Sequence, residues 1–194
     1  MLQRFLGNKK FFGLLLRYDE DVAESARLAG CVYCQARLHR ANYQRKPRGG
    51  PAEIDEDTCR RFSFCCYVCR KRTTPASFRF LGRRVYFGAI MILISAMLCG
   101  ASPRRQRRLH EICGADERTL NRWRQWWAEM FPQTDVWRTV SARLALIGAS
   151  VVSIPRQLVH HFLRQPGGSL EDALVGVLRL LLPLTSLFRR GCPG

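Results

Sequence analysis

Acidic residues are scarce in this chain. Against 32 Lys plus Arg stand 15 Asp plus Glu, so 194 residues carry a formal net charge of +17. Lysine is scarce too, and arginine supplies nearly all of the positive charge. Beyond residue 128 the only acids are Glu129, Asp135, Glu171 and Asp172, all in helical sequence. Two-metal chemistry needs carboxylates that converge on the ions, usually from strands, and none are set out that way. There is no P-loop, no dinucleotide glycine fingerprint and no nucleophile elbow. No set of titratable residues suggests a reaction, so the chain is not expected to be an enzyme. The apolar run near the start, Leu14 to Leu16 behind Lys9 and Lys10, is too short for a signal-peptide core, and no small-residue cleavage site follows. No internal repeat and no low-complexity segment is present.

Cysteine is not scarce: there are nine. An odd count without a secretory signal argues against a disulfide framework and for a reducing, cytoplasmic setting. Two short pairs stand out, Cys31-Val32-Tyr33-Cys34 and Cys66-Tyr67-Val68-Cys69. Each places two sulfurs on one tight knuckle, and four sulfurs are the ligand set of a tetrahedral structural Zn2+ site. The spacer between the pairs is long for a zinc ribbon, and the polar stretch from Gln44 to Asp57 reads as a loop that absorbs the excess. Cys65, Cys59 and His39 are alternative ligands. Cys31, Cys34, Cys66 and Cys69 are preferred because two equal knuckles form a symmetric site.

The expected fold is α+β and mostly α. Residues 1–29 form a helical lead-in, with Asp19 or Asp21 capping a short helix that Gly30 stops. Residues 30–80 form a small β zinc ribbon, residues 82–130 a helical domain, and residues 133–190 C-terminal helices for packing or self-association. Val85 to Pro103 lacks charge and reads as a buried helix. Its length also reaches the lower range of a membrane span, so a membrane-associated interaction protein remains the alternative reading.

Gln106 to Cys113 reads as a helix, Gly114 as a turn, and Asp116 as the cap of a second helix reaching about Met130. Leu109, Gly114, Leu120 and Trp123 fall where a helix-turn-helix needs its core residues and turn glycine. The outward side chains early in the second helix are then Glu117, Arg118, Asn121 and Arg122. Arginine forks onto guanine and asparagine onto adenine in a major groove. Arg40, Arg45 and Lys46 follow the first knuckle, and Arg70 and Arg72 follow the second. Interleaved with Tyr43, Phe62 and Phe64, they suit a face that grips phosphate. Further on, Pro132 ends the second helix, and Val136 to Val152 and Gln157 to Arg164 read as helices. Ser169 with Asp172 caps a last apolar helix, which reaches about Phe188 and should kink at Pro183. His160 and His161 have no ligand-type neighbour in sequence and read as surface or packing residues.

The stretch from Gly30 to Trp127 resembles the N-terminal zinc-ribbon and helix-turn-helix region of bacterial insertion-sequence transposases. The matching pieces are the CxxC after Gly30, the run Arg60-Arg61-Phe62-Ser63-Phe64-Cys65-Cys66, and Cys69-Arg70-Lys71-Arg72-Thr73-Thr74-Pro75. Phe80-Leu81-Gly82-Arg83-Arg84-Val85-Tyr86 follows, and then the helical pair ending in Arg122-Trp123. With Leu38-His39-Arg40-Ala41 and Arg45-Lys46-Pro47-Arg48-Gly49, it is also similar to uncharacterised bacterial proteins of transposon neighbourhoods. The resemblance implies binding of double-stranded DNA in a mobile-element setting. A transposase or a second copy of the chain is a further partner, and RNA an alternative one. It does not imply cleavage.

Overall fold

The structure is a computed structural model and describes residues 5–51, 53–82, 84–98, 100–143 and 154–185. It is α+β and mostly helical, with a small antiparallel sheet. Helix α1 (Lys9–Ala29) joins two hydrophobic cores. Its buried positions Phe11, Leu15, Asp19 and Ala23 recur every four residues with Phe12 beside the first, one stripe of a helix. Phe11, Phe12 and Leu15 enter a large core with the later helices, whereas Ala23 enters a small core with Cys31, Leu38, Phe64 and Cys66. The cap is Asn8, whose side chain accepts from the Phe11 N–H. Asp19 and Asp21 are therefore not caps. The phenylalanines extend the buried stripe on their N-terminal side, so the helix starts well before either acid. Gly30 does end it, at φ 80°, where a Cβ would stand 2.9 Å from the Gln35 carbonyl oxygen.

The ribbon follows as β1 (Leu38–Arg40), β2 (Tyr43–Gln44), a one-turn helix α2 (Glu56–Cys59), β3 (Arg60–Arg61), β4 (Phe64–Cys66) and β5 (Arg72–Thr73). The sheet order is β1-β4-β5, with Leu38 opposite Cys66 and Phe64 opposite Thr73, while β2 pairs with β3. Strand alternation turns Phe64 inward, 2 % exposed, so this ring belongs to the ribbon core and not to a binding face. The stretch from Gln44 to Asp57 is docked. Arg48 donates its N–H to the Val85 carbonyl at 2.8 Å, and its own carbonyl accepts from Phe87 at 3.2 Å. At Gly50 the chain runs so close to the helical core that a Cβ would meet Phe87 at 2.6 Å.

Helix α3 (Gly88–Leu98) lies in the large core with Ile90, Ile92 and Ile94 fully buried. Burial on all sides explains why the segment carries no charge. Among the described residues no helix is long and apolar enough to cross a membrane. The same core takes α4 (Pro103–Cys113), α5 (Glu117–Gln125), the start of α6 (Asp135–Arg143), α7 (Ile154–Leu163) and α8 (Leu170–Leu181). The helical path of α5 does not stop before Pro132. It widens into a π turn over Trp126–Met130, then tightens into a 3-10 turn over Phe131–Gln133, where the proline occupies an early position that needs no N–H. Ser169 and Asp172 form a reciprocal capping box on α8. That helix closes at Leu181 in a 3-10 turn over Leu182–Leu184 containing Pro183, and Phe188 lies outside the described residues. The expected helix from 136 to 152 is described only as far as Arg143, and its remainder lies outside the described residues.

A buried arginine, Arg79, clamps the ribbon onto α1. Asp19 meets Arg79 at 2.8 Å, with both side chains fully buried. The carboxylate also accepts from the Ser77 hydroxyl at 2.6 Å and the Phe78 N–H at 2.5 Å. Arg79 then donates to the carbonyls of Asp57, Thr58 and Arg60, covering the end of α2. Arg61 is buried beside it but bonds only the Pro75 carbonyl, leaving Nε and Nη1 without a partner. Burial lowers this guanidinium to about 10, so it stays charged at neutral pH.

Candidate metal centre and basic surfaces

The four sulfurs of Cys31, Cys34, Cys66 and Cys69 lie within 4.8 Å of one another. Cys31 and Cys69 approach to 3.6 Å, and Cys34 and Cys66 to 3.5 Å. A tetrahedral ion with about 2.3 Å bonds to sulfur requires sulfurs about 3.8 Å apart. The cluster therefore fits such an ion with small adjustments.

The fold builds the two knuckles alike. The first hangs from the C-terminus of α1, where the Cys31 N–H donates to the Ala36 carbonyl and Gln35 donates back to Cys31. The second extends β4, where the Cys66 N–H donates to the Lys71 carbonyl. Backbone N–H groups point at sulfur in both: Tyr33 to Cys31 at 3.5 Å and Cys69 to Cys66 at 3.4 Å. The residue after each second cysteine, Gln35 at φ 60° and Arg70 at φ 59°, takes the left-handed conformation that closes the turn. Such N–H groups stabilise thiolate. At Cys66 burial works against ionisation, but the Cys69 N–H and the Cys34 thiol outweigh it and bring the thiol down to about 6. At Cys69 the Lys71 backbone favours the thiolate, yet burial and the neighbouring thiols hold it up to about 12. Four thiols that share one site cannot all ionise unaided, and a cation at the centre would remove that conflict.

The alternative ligands stay outside the cluster. Cys65 precedes Cys66 on β4, so the pleat turns it the other way, with its sulfur 3.5 Å from the Arg70 carbonyl oxygen. His39 lies opposite Cys65 on β1 and packs tilted against Tyr67, while Cys59 sits in α2.

The basic candidates fall into two groups. On the ribbon, Arg40, Lys46, Arg70 and Arg72 are exposed, and Arg40 has an ion pair with Glu24 at 3.9 Å. Arg72 lies over the half-buried Tyr43 ring at 5.7 Å. Arg45 differs from them: it donates to the carbonyls of Gly82 and Arg84 and lies over the Phe80 ring at 4.9 Å. It holds the ribbon to the segment before α3. Phe62 packs against the ribbon core beneath Arg79.

In the helical half, α4 ends at Gly114 (φ 62°), and Asp116 caps α5 by accepting from Thr119 at 2.6 Å. Leu109, Ala115, Leu120 and Trp123 are buried, and Tyr86 fixes the turn through a 2.9 Å bond to the Gly114 carbonyl. Arg118, Asn121 and Arg122 are exposed on α5. Asn121 accepts from Arg124 at 3.2 Å, and Arg122 donates to the Thr119 hydroxyl at 2.9 Å.

The outer face of α4 carries a third basic group, outside the candidates above. Arg104, Arg107 and Arg108 are exposed there and line an open cleft of about 980 Å3 with Glu111. The i, i+3, i+4 spacing of Pro103-Arg104-Arg105-Gln106-Arg107-Arg108 was the available signal. Compared with protein families, with curated proteins and with solved structures, the chain finds no match.

Proposed function

We propose that the chain is a zinc-dependent DNA-binding protein related to mobile elements, one that recognises or regulates transposon DNA without a nuclease centre of its own. The observation that carries it is the converged four-cysteine site in a protein of net charge +17. Sulfur ligands and tetrahedral spacing favour Zn2+ among common ions. Cys31, Cys34, Cys66 and Cys69 would hold it, and the ion would supply structure to a ribbon whose own core is small. The basic ribbon edge and the arginines of α4 grip phosphate, a sequence-independent attraction that weakens with salt. Arg118, Asn121 and Arg122 read base edges, presented by a helix whose inner face is fixed by Leu120 and Trp123.

The test is selection of bound fragments from random double-stranded DNA with zinc-loaded protein at near-physiological salt. A defined motif that Arg118→Ala or Asn121→Ala relaxes is the expected result. Binding without a motif, fading steeply with salt, would leave only a polycation. Absence of binding would overturn the reading.

A further inference from the structure

Seven large hydrophobic side chains stand exposed among the described residues, and four of them are the middle residues of the two knuckles. Val32 is 51 % exposed, Tyr33 48 %, Tyr67 63 % and Val68 64 %. Neither core uses them. Convergence of the sulfurs brings the two knuckles together, so these side chains share one end of the ribbon.

A lysine and an arginine flank the two tyrosines at that end. Lys71, from the second knuckle's exit, lies 4.3 Å over the Tyr33 ring of the first. Arg70 lies 5.9 Å from the Tyr67 ring, and His39 packs on the same ring at 5.6 Å. No acid occurs in residues 25–52 or 58–110, so nothing in the ribbon strands or knuckles neutralises this charge.

Exposed tyrosine rings among unneutralised cations match a ligand with flat π faces and negative charge together. A purely apolar protein surface would bury Arg70 and Lys71 unpaired, at a cost. A DNA duplex offers phosphate but hides its base faces in the stack. Unpaired nucleotides offer both. We propose that the paired knuckle tips bind single-stranded nucleic acid, with bases stacked on Tyr33 and Tyr67 and phosphates held by Arg70 and Lys71. This rests on the metal reading above, because the ion would hold the two tips together, and it is separate from duplex reading by α5.

The test uses the full zinc-loaded chain and fluorescence anisotropy. The probes are an oligothymidylate and an oligouridylate of about 15 nucleotides, a length of the order one small domain covers. A mixed-sequence duplex is the control. Both single strands should bind, and a preference between them would identify DNA or RNA as the source. The Tyr33→Leu/Tyr67→Leu protein keeps apolar bulk but loses the π faces. It should bind single strands about tenfold or more weakly while duplex affinity stays within about twofold. Its zinc content should not change, and Tyr33→Phe/Tyr67→Phe should bind single strands like the parent. Leucine variants that bind single strands as well as the parent would overturn the proposal, as would equal losses on single strands and duplex. A zinc-loaded parent that ignores both single strands overturns this proposal alone. A parent that holds no zinc overturns the metal reading and this proposal with it.

Discussion

Replacing Arg79 and Arg61 in turn by methionine should give opposite results, although both side chains are fully buried. Arg79 is satisfied on every side: it pairs with Asp19 and donates to three carbonyls. Arg79→Met leaves the Asp19 carboxylate buried without its countercharge and strips the carbonyls of Asp57, Thr58 and Arg60 of their donor. Breaking one side of a buried pair costs about 3–5 kcal/mol. Arg61 keeps only its bond to the Pro75 carbonyl and carries two donor atoms with no acceptor. Arg61→Met loses a bond worth about 1 kcal/mol and removes donors whose burial costs about 1–3 kcal/mol each. Methionine fills much of the vacated space, so the change should be neutral or stabilising by about 1–2 kcal/mol. Urea unfolding at fixed zinc concentration, followed by tryptophan fluorescence, measures both. Equal losses at the two positions would refute the reasoning, because they would mean that the number of satisfied donors does not set the cost.

Two further predictions concern the metal centre. Cys34→Ser should abolish zinc binding and the ribbon's melting transition, since metal binding and folding are coupled; native mass spectrometry and a thermal melt check this, and a variant that keeps both would remove Cys34 from the proposed ligand set. Gly30→Ala should destabilise the ribbon by about 1–3 kcal/mol, because an L residue is strained at φ 80° and its Cβ would press on the Gln35 carbonyl. The readout is chelator competition for zinc together with the melt, and an unchanged midpoint in both would show that the entry to the first knuckle can shift freely.

The sequence alone determined the parts whose signal is local. The two CxxC pairs identified the four converging cysteines because a knuckle is a short-range structure, closed by its own N–H groups. Gly114 and Asp116 marked the turn and cap between α4 and α5, and Ser169 with Asp172 marked the start of α8, because caps are settled within four residues. The charge-free stretch in α3 announced burial, since nothing polar can be left there unpaired. Tertiary structure decided what depends on distant partners. Asp19 looks like a cap until Arg79, far along the chain, appears opposite it. Arg45 looks like a phosphate grip until the carbonyls of Gly82 and Arg84 are seen to occupy it. The stretch from Gln44 to Asp57 looks like slack until Arg48 bonds the backbone of Val85 and Phe87. A guanidinium carries the same charge in every setting, so only the acceptors that the fold brings to it distinguish an arginine that binds a partner from one that holds the protein together.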